Sequence, residues 1–405
     1  MTVGLVLVLV VVAAYLAAHV AFDWLGRKHL IVSGAEYLLL GILLGPRVAG
    51  VLTPETVESL APVTTLALGW IGAVVGVQFL LPEMVKVPSI AYRVALVESF
   101  LTFALVFLAE TFAIAWLYET SLVEAALPAA ALAGIGTASS AAAVEIGARR
   151  LGEGGVEVTQ LRVSAMVNAV FAVTAFGLLA SIWHTPVIVL GRPLTPTEWM
   201  TITLGIGVVG GLLFHLFVGD ERHAERLFVS LGGGVILVSG AASYAGLSPL
   251  LSALVFGAIL VNTSRNRDEI IAALTRVERP LYFVLLVFAG AAWRPSARAW
   301  VLPVLLFLAV RAAAKIGGAR FAGWANGLAP VLGKDWGRAL VGQGGLALAI
   351  ALNYVYQDGG TLPYFVFTAA IASVLLTDFV SARLVHSVLD PLLARRRAAT
   401  EAGGD

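Results

Sequence analysis

The sequence predicts an all-α polytopic membrane protein of about 13 transmembrane helices, on three observations. Of 405 residues, 59% are hydrophobic and only 13% are charged. A soluble chain of that length needs far more polar surface. The charges fall between apolar runs of roughly 20 residues, the length that crosses a bilayer. Those runs are continuous rather than alternating, which argues against a transmembrane β-barrel. Net charge is +1, which carries no signal for nucleic acid. Cysteine is absent, which excludes disulfides, thiolate metal sites and thiol redox chemistry. The six His are scattered without metal-ligand spacing. No P-loop, nucleophile elbow or metal motif occurs, so neither an enzyme nor a cofactor or metal is expected.

The expected spans run at about 3–23, 30–48, 63–81, 91–117, 122–148, 158–183, 198–218, 225–243, 246–262, 280–293, 299–319, 337–356 and 362–388. The N-terminal run lacks a basic flank and reads as a retained first span, not a cleaved signal. The C-terminus after Leu389 reads as a short polar tail. Lys and Arg placement sets the orientation. With the N-terminus outside, Arg27, Lys28, Lys86, Arg93, Arg149, Arg150, Arg162, Arg222, Arg226, Arg265, Arg267, Arg276, Arg279, Lys334, Arg338 and the tail arginines are inside. Arg47, Arg192, Arg294 and Arg298 are outside. The expectation is N-out and C-in, in a bacterial inner membrane.

Two spans are interrupted by small residues in corresponding places. The fifth contains Gly134-Ile135-Gly136-Thr137-Ala138-Ser139-Ser140, and the twelfth contains Gly342-Gln343-Gly344-Gly345. They lie seven spans apart and so cross in opposite senses, as expected of inverted repeats with crossed broken helices. The expected divisions are 1–183 and 222–389 for the repeats, 184–221 for the outer loop and linker span, and 390–405 for the tail. Broken helices expose unpaired backbone groups that can bind ions. Glycines that serve only close helix packing are the other reading.

An ordered series of short motifs resembles the membrane domain of monovalent cation/proton antiporters. GAEYLLLGILLGPRVAG resembles that family's "GE-x-LLG-x-LLGP" helix through Glu36, Gly41, Gly45 and Pro46. Ser139-Ser140-Ala141-Ala142-Ala143, followed by IGARRLGEGG, resembles the broken helix and its loop. LSPLLSALVFGAILVN, RPLYFVLLVFAGAAW and VRAAAKIGGARFAG follow in the family's order, and GQGGLALAIAL is similar to the "QGGEFAFVL" of glutathione-gated potassium efflux antiporters. The resemblance implies the antiporter fold, commonly a homodimer, with a monovalent cation and a proton as substrates. Three departures stand out. The family's Asn-Asp or Asp-Asp reads Asn168-Ala169, the Glu of "QGGE" is Leu346, and no nucleotide-binding tail is present.

Candidate ion-binding residues are Thr137, Ser139, Ser140, Ser164, Asn168, Gln343 and Arg311. Asn168 lies about ten residues into its span, near the midplane at ~1.5 Å per residue. It offers a carbonyl oxygen to a cation, or bonds to the broken backbone. Gln343 has the same two readings. The hydroxyls of Thr137, Ser139 and Ser140 suit a bound ion or a half-helix cap. Arg311 matches the family's basic residue and keeps its proton at physiological pH. It needs a carboxylate, a bound anion or a half-helix C-terminus as partner. Candidate proton-coupling groups are Glu98, Lys315 and Glu110, because ionisable residues within spans are expensive. Lys315 also reads as snorkelling to the interface. Glu98 alternatively faces the interface. Glu110, rotated by roughly 120° from Glu98, reads better as an outer-interface residue.

The leading expectation is a secondary transporter of the cation/proton antiporter type, moving by alternating access. The alternatives are an anion or organic-acid transporter and a transport-inactive sensor or membrane subunit.

Overall fold

The computed structural model describes residues 35–402, apart from 152–154, 185–187, 190–191, 219–220, 222, 294–300 and 358–361. The expected first span, Arg27, Lys28, Arg222, Arg294 and Arg298 lie outside the described residues. The principal helices are α1 (Ala35–Leu44), α2 (Ala61–Val77), α3 (Ser89–Leu117), α4 (Leu122–Thr137), α5 (Ala141–Leu151), α6 (Val156–Ala180) and α7 (Pro196–Val218). They continue as α8 (Ala224–Tyr244), α9 (Pro249–Thr263), α10 (Arg267–Ala292), α11 (Val301–Ala325), α12 (Gly345–Gln357) and α13 (Leu362–Ala402). Short helical turns at Pro54–Ser59, Leu81–Met84 and Ala329–Leu332 join them.

Among the described residues, six helical runs are long and apolar enough to cross a bilayer: Ser89–Leu117, Leu122–Arg149, Val156–Trp183, Pro196–Val218, Ala224–Tyr244 and Val301–Ala325. The helices α2 and α9 and the stretch Tyr364–Thr377 are apolar but shorter. The protein is an all-α polytopic membrane protein. Large apolar side chains such as Phe112, Trp116, Phe217 and Val229 stay exposed along these helices. Lipid, not water, is the solvent that suits them.

Local sequence explains the helix ends. Ser121 caps α4 in a reciprocal capping box with Glu124. Ser248 caps α9 by accepting from Leu251 N at 3.1 Å. Three features differ from the expectation. A two-residue hairpin pairs Ile188–Val189 with Arg192–Pro193 before α7. Helix α10 begins at Arg267, well before the apolar run at 280, because Ile270 and Leu274 already give its first turns a buried face. Helix α13 continues through Pro391 to Ala402, so most of the segment read as a tail is helical.

The helices form two bundles. Helices α3, α4, α6, α11, α12 and α13 pack on one another, and α1, α2 and α7–α10 form the second group. In the second, α2 and α9 cross at backbone contact. A Cβ at Gly72, Gly76 or Gly257 would overlap Leu250 O, Leu254 O or Ala73 O respectively. Without an apolar-water driving force, such close van der Waals contact is what holds helices together in lipid.

Candidate functional site

Two places where helices end and restart lie against each other. Helix α4 ends at Thr137 and α5 starts at Ala141. A 3-10 turn, Trp336–Leu340, precedes the second break, and α12 starts at Gly345. Ser140 N donates to Gly342 O at 2.8 Å, and Ser139 Oγ donates to Leu340 O at 2.9 Å. Some of the backbone groups freed by one break are thus satisfied by the other, as burial requires. Ser140 also caps α5, accepting from Ala143 N at 3.2 Å.

Asn168 ties this crossing to α3. Its Nδ2 donates to Ser139 Oγ at 3.0 Å, and Ser99 Oγ donates to its Oδ1 at 2.5 Å. Gln343 works similarly from the second break. Its Nε2 donates to Ile135 O at 2.6 Å, and Ser373 Oγ donates to its Oε1. Both amides are fully buried and bonded to protein at both ends. Thr137 Oγ1 donates within its own helix to Ala133 O, and Ser164 accepts from Gln160 Nε2 at 3.1 Å.

Arg311 is buried, and its Nη2 donates to Ala138 O at 3.4 Å. Its partner is therefore the carbonyl just past the end of α4, where the helix dipole is negative. Arg311 Nε has no partner. One turn further along α11, Lys315 Nζ lies 2.9 Å from Glu98 Oε1. Thr102 Oγ1 donates to the same oxygen at 3.0 Å, while Glu98 Oε2 has no partner. Gly318 lets α11 approach this closely, since a Cβ there would lie 3.3 Å from Thr102 Oγ1. The snorkelling reading of Lys315 and the interface reading of Glu98 are both corrected: each side chain is 0% exposed. Burial there needs a partner, and each supplies the other's.

Glu110 is also corrected from an outer-interface residue to a buried one, and its Oε1 has no partner. The rotation of 120° from Glu98 is real. But α3 packs against α4, α6 and α11 together, so its buried arc is wide enough to include both.

A cavity of about 580 Å³ opens beside the breaks. Ser139, Ser140, Ala169, Gly344, Gly345 and Leu346 line it, together with the half-buried Glu278 and the exposed Gln78 and Arg279. Thr137, Ser164, Asn168, Gln343, Arg311, Lys315, Glu98 and Glu110 are not among its lining residues. The starts of α5 and α12 both reach its wall, at Ala141–Ala142 and Gly345–Leu346. Helix N-termini carry partial positive charge. The two positions where the resembled family places carboxylates, 169 and 346, are thus brought to one cavity wall, and both are apolar here. Tyr282, which sequence reading missed, also lines the cavity, and a Cβ on Gly345 would overlap its ring. Ser99, Thr102 and Ser373 were missed too. Only Thr102 carried a signal, one helical turn from Glu98.

No protein-family model and no curated protein sequence matches the chain. Solved structures do. The chain is similar to the sodium proton antiporter MjNhaP1 from Methanocaldococcus jannaschii at pH 8, with 14% identity and a TM-score of 0.66 over 94% of this chain and 97% of that one. An electron-microscopy structure of the same antiporter gives 16% identity and a TM-score of 0.63 over 97% and 96%. The likeness spans both chains almost end to end and establishes the fold: that of a sodium/proton antiporter.

Proposed function

We propose that this chain is a secondary-active transporter of the cation/proton antiporter type, working by alternating access at the crossed breaks. One observation carries the reading: the two interrupted helices are bonded to each other, Ser140 N to Gly342 O, at the wall of an open cavity. Irregular backbone at this depth is tolerated where it serves a binding cavity. In this reading the inverted repeats are 1–183 and 222–389. The bundle of α3–α6 with α11–α13 moves against the rest, and the protein is a homodimer in a bacterial inner membrane. With N-out orientation, the cavity opens to the cytoplasm. The cations are monovalent, with potassium included by the resemblance to potassium efflux antiporters. Proton coupling passes to Glu98 and Lys315, since residue 169 has no proton to exchange.

The test is flux in proteoliposomes. Adding Na⁺, K⁺ or Li⁺ should dissipate an imposed pH gradient, and Glu98→Gln should weaken the response. A null response to all three cations across a wide pH range would end the antiport reading.

A second reading is favoured by one feature of the cavity. Two helix N-termini reach its wall while Ala169 and Leu346 leave it without the family's carboxylates. That polarity suits an anion or organic acid. Here uptake of a labelled carboxylate should be lost in Ala169→Asp, which puts a negative charge on that wall, and kept in Ala169→Asn.

A further inference from the structure

We propose that a hydrogen-bonded strip on the side away from the cavity's opening is the latch that holds the two bundles closed there. This rests on the alternating-access reading above and adds the residues that close the second side.

Three bonds bridge the bundles in this region. Asn353 Nδ2 on α12 donates to Ser248 Oγ at 3.0 Å. Tyr356 OH, also on α12, lies 3.4 Å from Thr64 Oγ1 on α2. Trp293 Nε1, at the end of α10, donates to Thr368 Oγ1 on α13 at 3.1 Å. Beside them α6 meets α9 tightly, where a Cβ on Gly177 would lie 2.7 Å from Leu251 Cδ2.

Three of the helices that carry the strip, α2, α10 and α12, also line the cavity, further along their lengths. Thr64 is about 10 Å along α2 from Ile71, and Asn353 about 10 Å along α12 from Leu346. Trp293 is about 15 Å along α10 from Phe283. Ile71, Phe283 and Leu346 all line the cavity. The bundles are therefore apart at one end of these helices and bonded at the other.

The bonds suit a releasable contact. Asn353 Oδ1 and Gln357 Oε1 are buried without partners in the closed arrangement. Opening would hydrate both acceptors, which offsets part of the loss of the bridging bonds. A fully satisfied seam would have no such gain.

The chain contains no cysteine, so introduced cysteines report alone. The experiment places Ala169→Cys at the cavity wall of the full chain in oriented vesicles. A membrane-impermeant maleimide is then applied to each face separately. Labelling is expected from the cavity's open side. In Asn353→Leu with Tyr356→Phe, labelling from the opposite face should rise by about fivefold for each bond lost. Closing Ser248→Cys/Asn353→Cys with oxidant should abolish opposite-face labelling and leave open-side labelling at its original rate. That unchanged rate also reports an intact fold. Opposite-face labelling that ignores both the release and the cross-link overturns the latch. If labelling behaves as expected but no solute moves, the latch stands and the transport reading fails. If solute moves while labelling ignores both changes, the latch fails and the transport reading stands.

Discussion

Lys315 Nζ is 2.9 Å from Glu98 Oε1, and neither side chain reaches solvent or lipid. The pair joins α11 to α3 inside the bundle that carries both breaks. Removing one partner leaves a buried charge without compensation, which typically costs about 3–5 kcal/mol. Glu98→Gln should therefore lower the free energy of unfolding in detergent by that order, read as a lowered midpoint. Glu98→Gln combined with Lys315→Met should recover most of the loss. Melts of the two single variants and the double variant form the cycle, and additive losses would show that the pair is not coupled.

Ala169 lines the cavity between the starts of two half-helices. Ala169→Asp places a carboxylate at that wall. The variant should gain stabilisation by Na⁺ or Li⁺ beyond that of the parent. A cation at about 100 times its dissociation constant adds roughly 2.7 kcal/mol. Melting temperature against cation concentration reads this directly. Equal shifts in parent and variant would mean that the wall does not govern cation binding.

Glycine at 76 is required by backbone contact. A Cβ there would overlap Leu254 O and lie 2.9 Å from Ala258 N, and backbone cannot step aside as a side chain can. Gly76→Ala should destabilise by about 1–3 kcal/mol, the usual cost of overpacking. Gly233→Ala is the control, since nothing lies within 4 Å of its added Cβ. That variant should be neutral or more stable, because alanine is the better helix former.

Arg192 and Glu198 sit in the loop segment and first turn that precede and open α7. Arg192 Nη1 donates to Glu198 Oε2 at 2.8 Å, and Thr195 N donates to the same oxygen at 2.8 Å. Glu198→Gln should melt slightly below the parent at neutral pH, because the charge-assisted bonds from Arg192 are lost. The effect is small because the pair is exposed and screened by salt. A gap between parent and variant that does not shrink as salt is raised would contradict the ion-pair assignment.

Glycine and small hydroxyl residues interrupt two otherwise apolar runs, and chain order alone reveals that. That Arg311 needs a partner was legible from its place inside an apolar run. The fate of Lys315 was not. Its stem is long enough either to snorkel or to bury, and only a partner on another helix decides between them. Glu98 supplied that partner across 217 positions of sequence. Glu110 was misjudged because a rotation angle says which residues share a face but not how wide the buried face is. That width depends on how many neighbours a helix has.

The sequence by itself determined the class of protein, the small-residue interruptions in two apolar runs, and the absence of a carboxylate at position 169. Those follow from composition, local backbone preference and residue identity, which are one-dimensional quantities. Only the tertiary structure decided that Asn168 and Gln343 are held by protein at both ends, that Arg311 serves the end of α4, and that Ala169 and Leu346 meet on one cavity wall. Each of these depends on which helices touch. In a membrane that is set by close packing and by satisfying every buried polar group at once, a condition on the whole chain that no single segment carries.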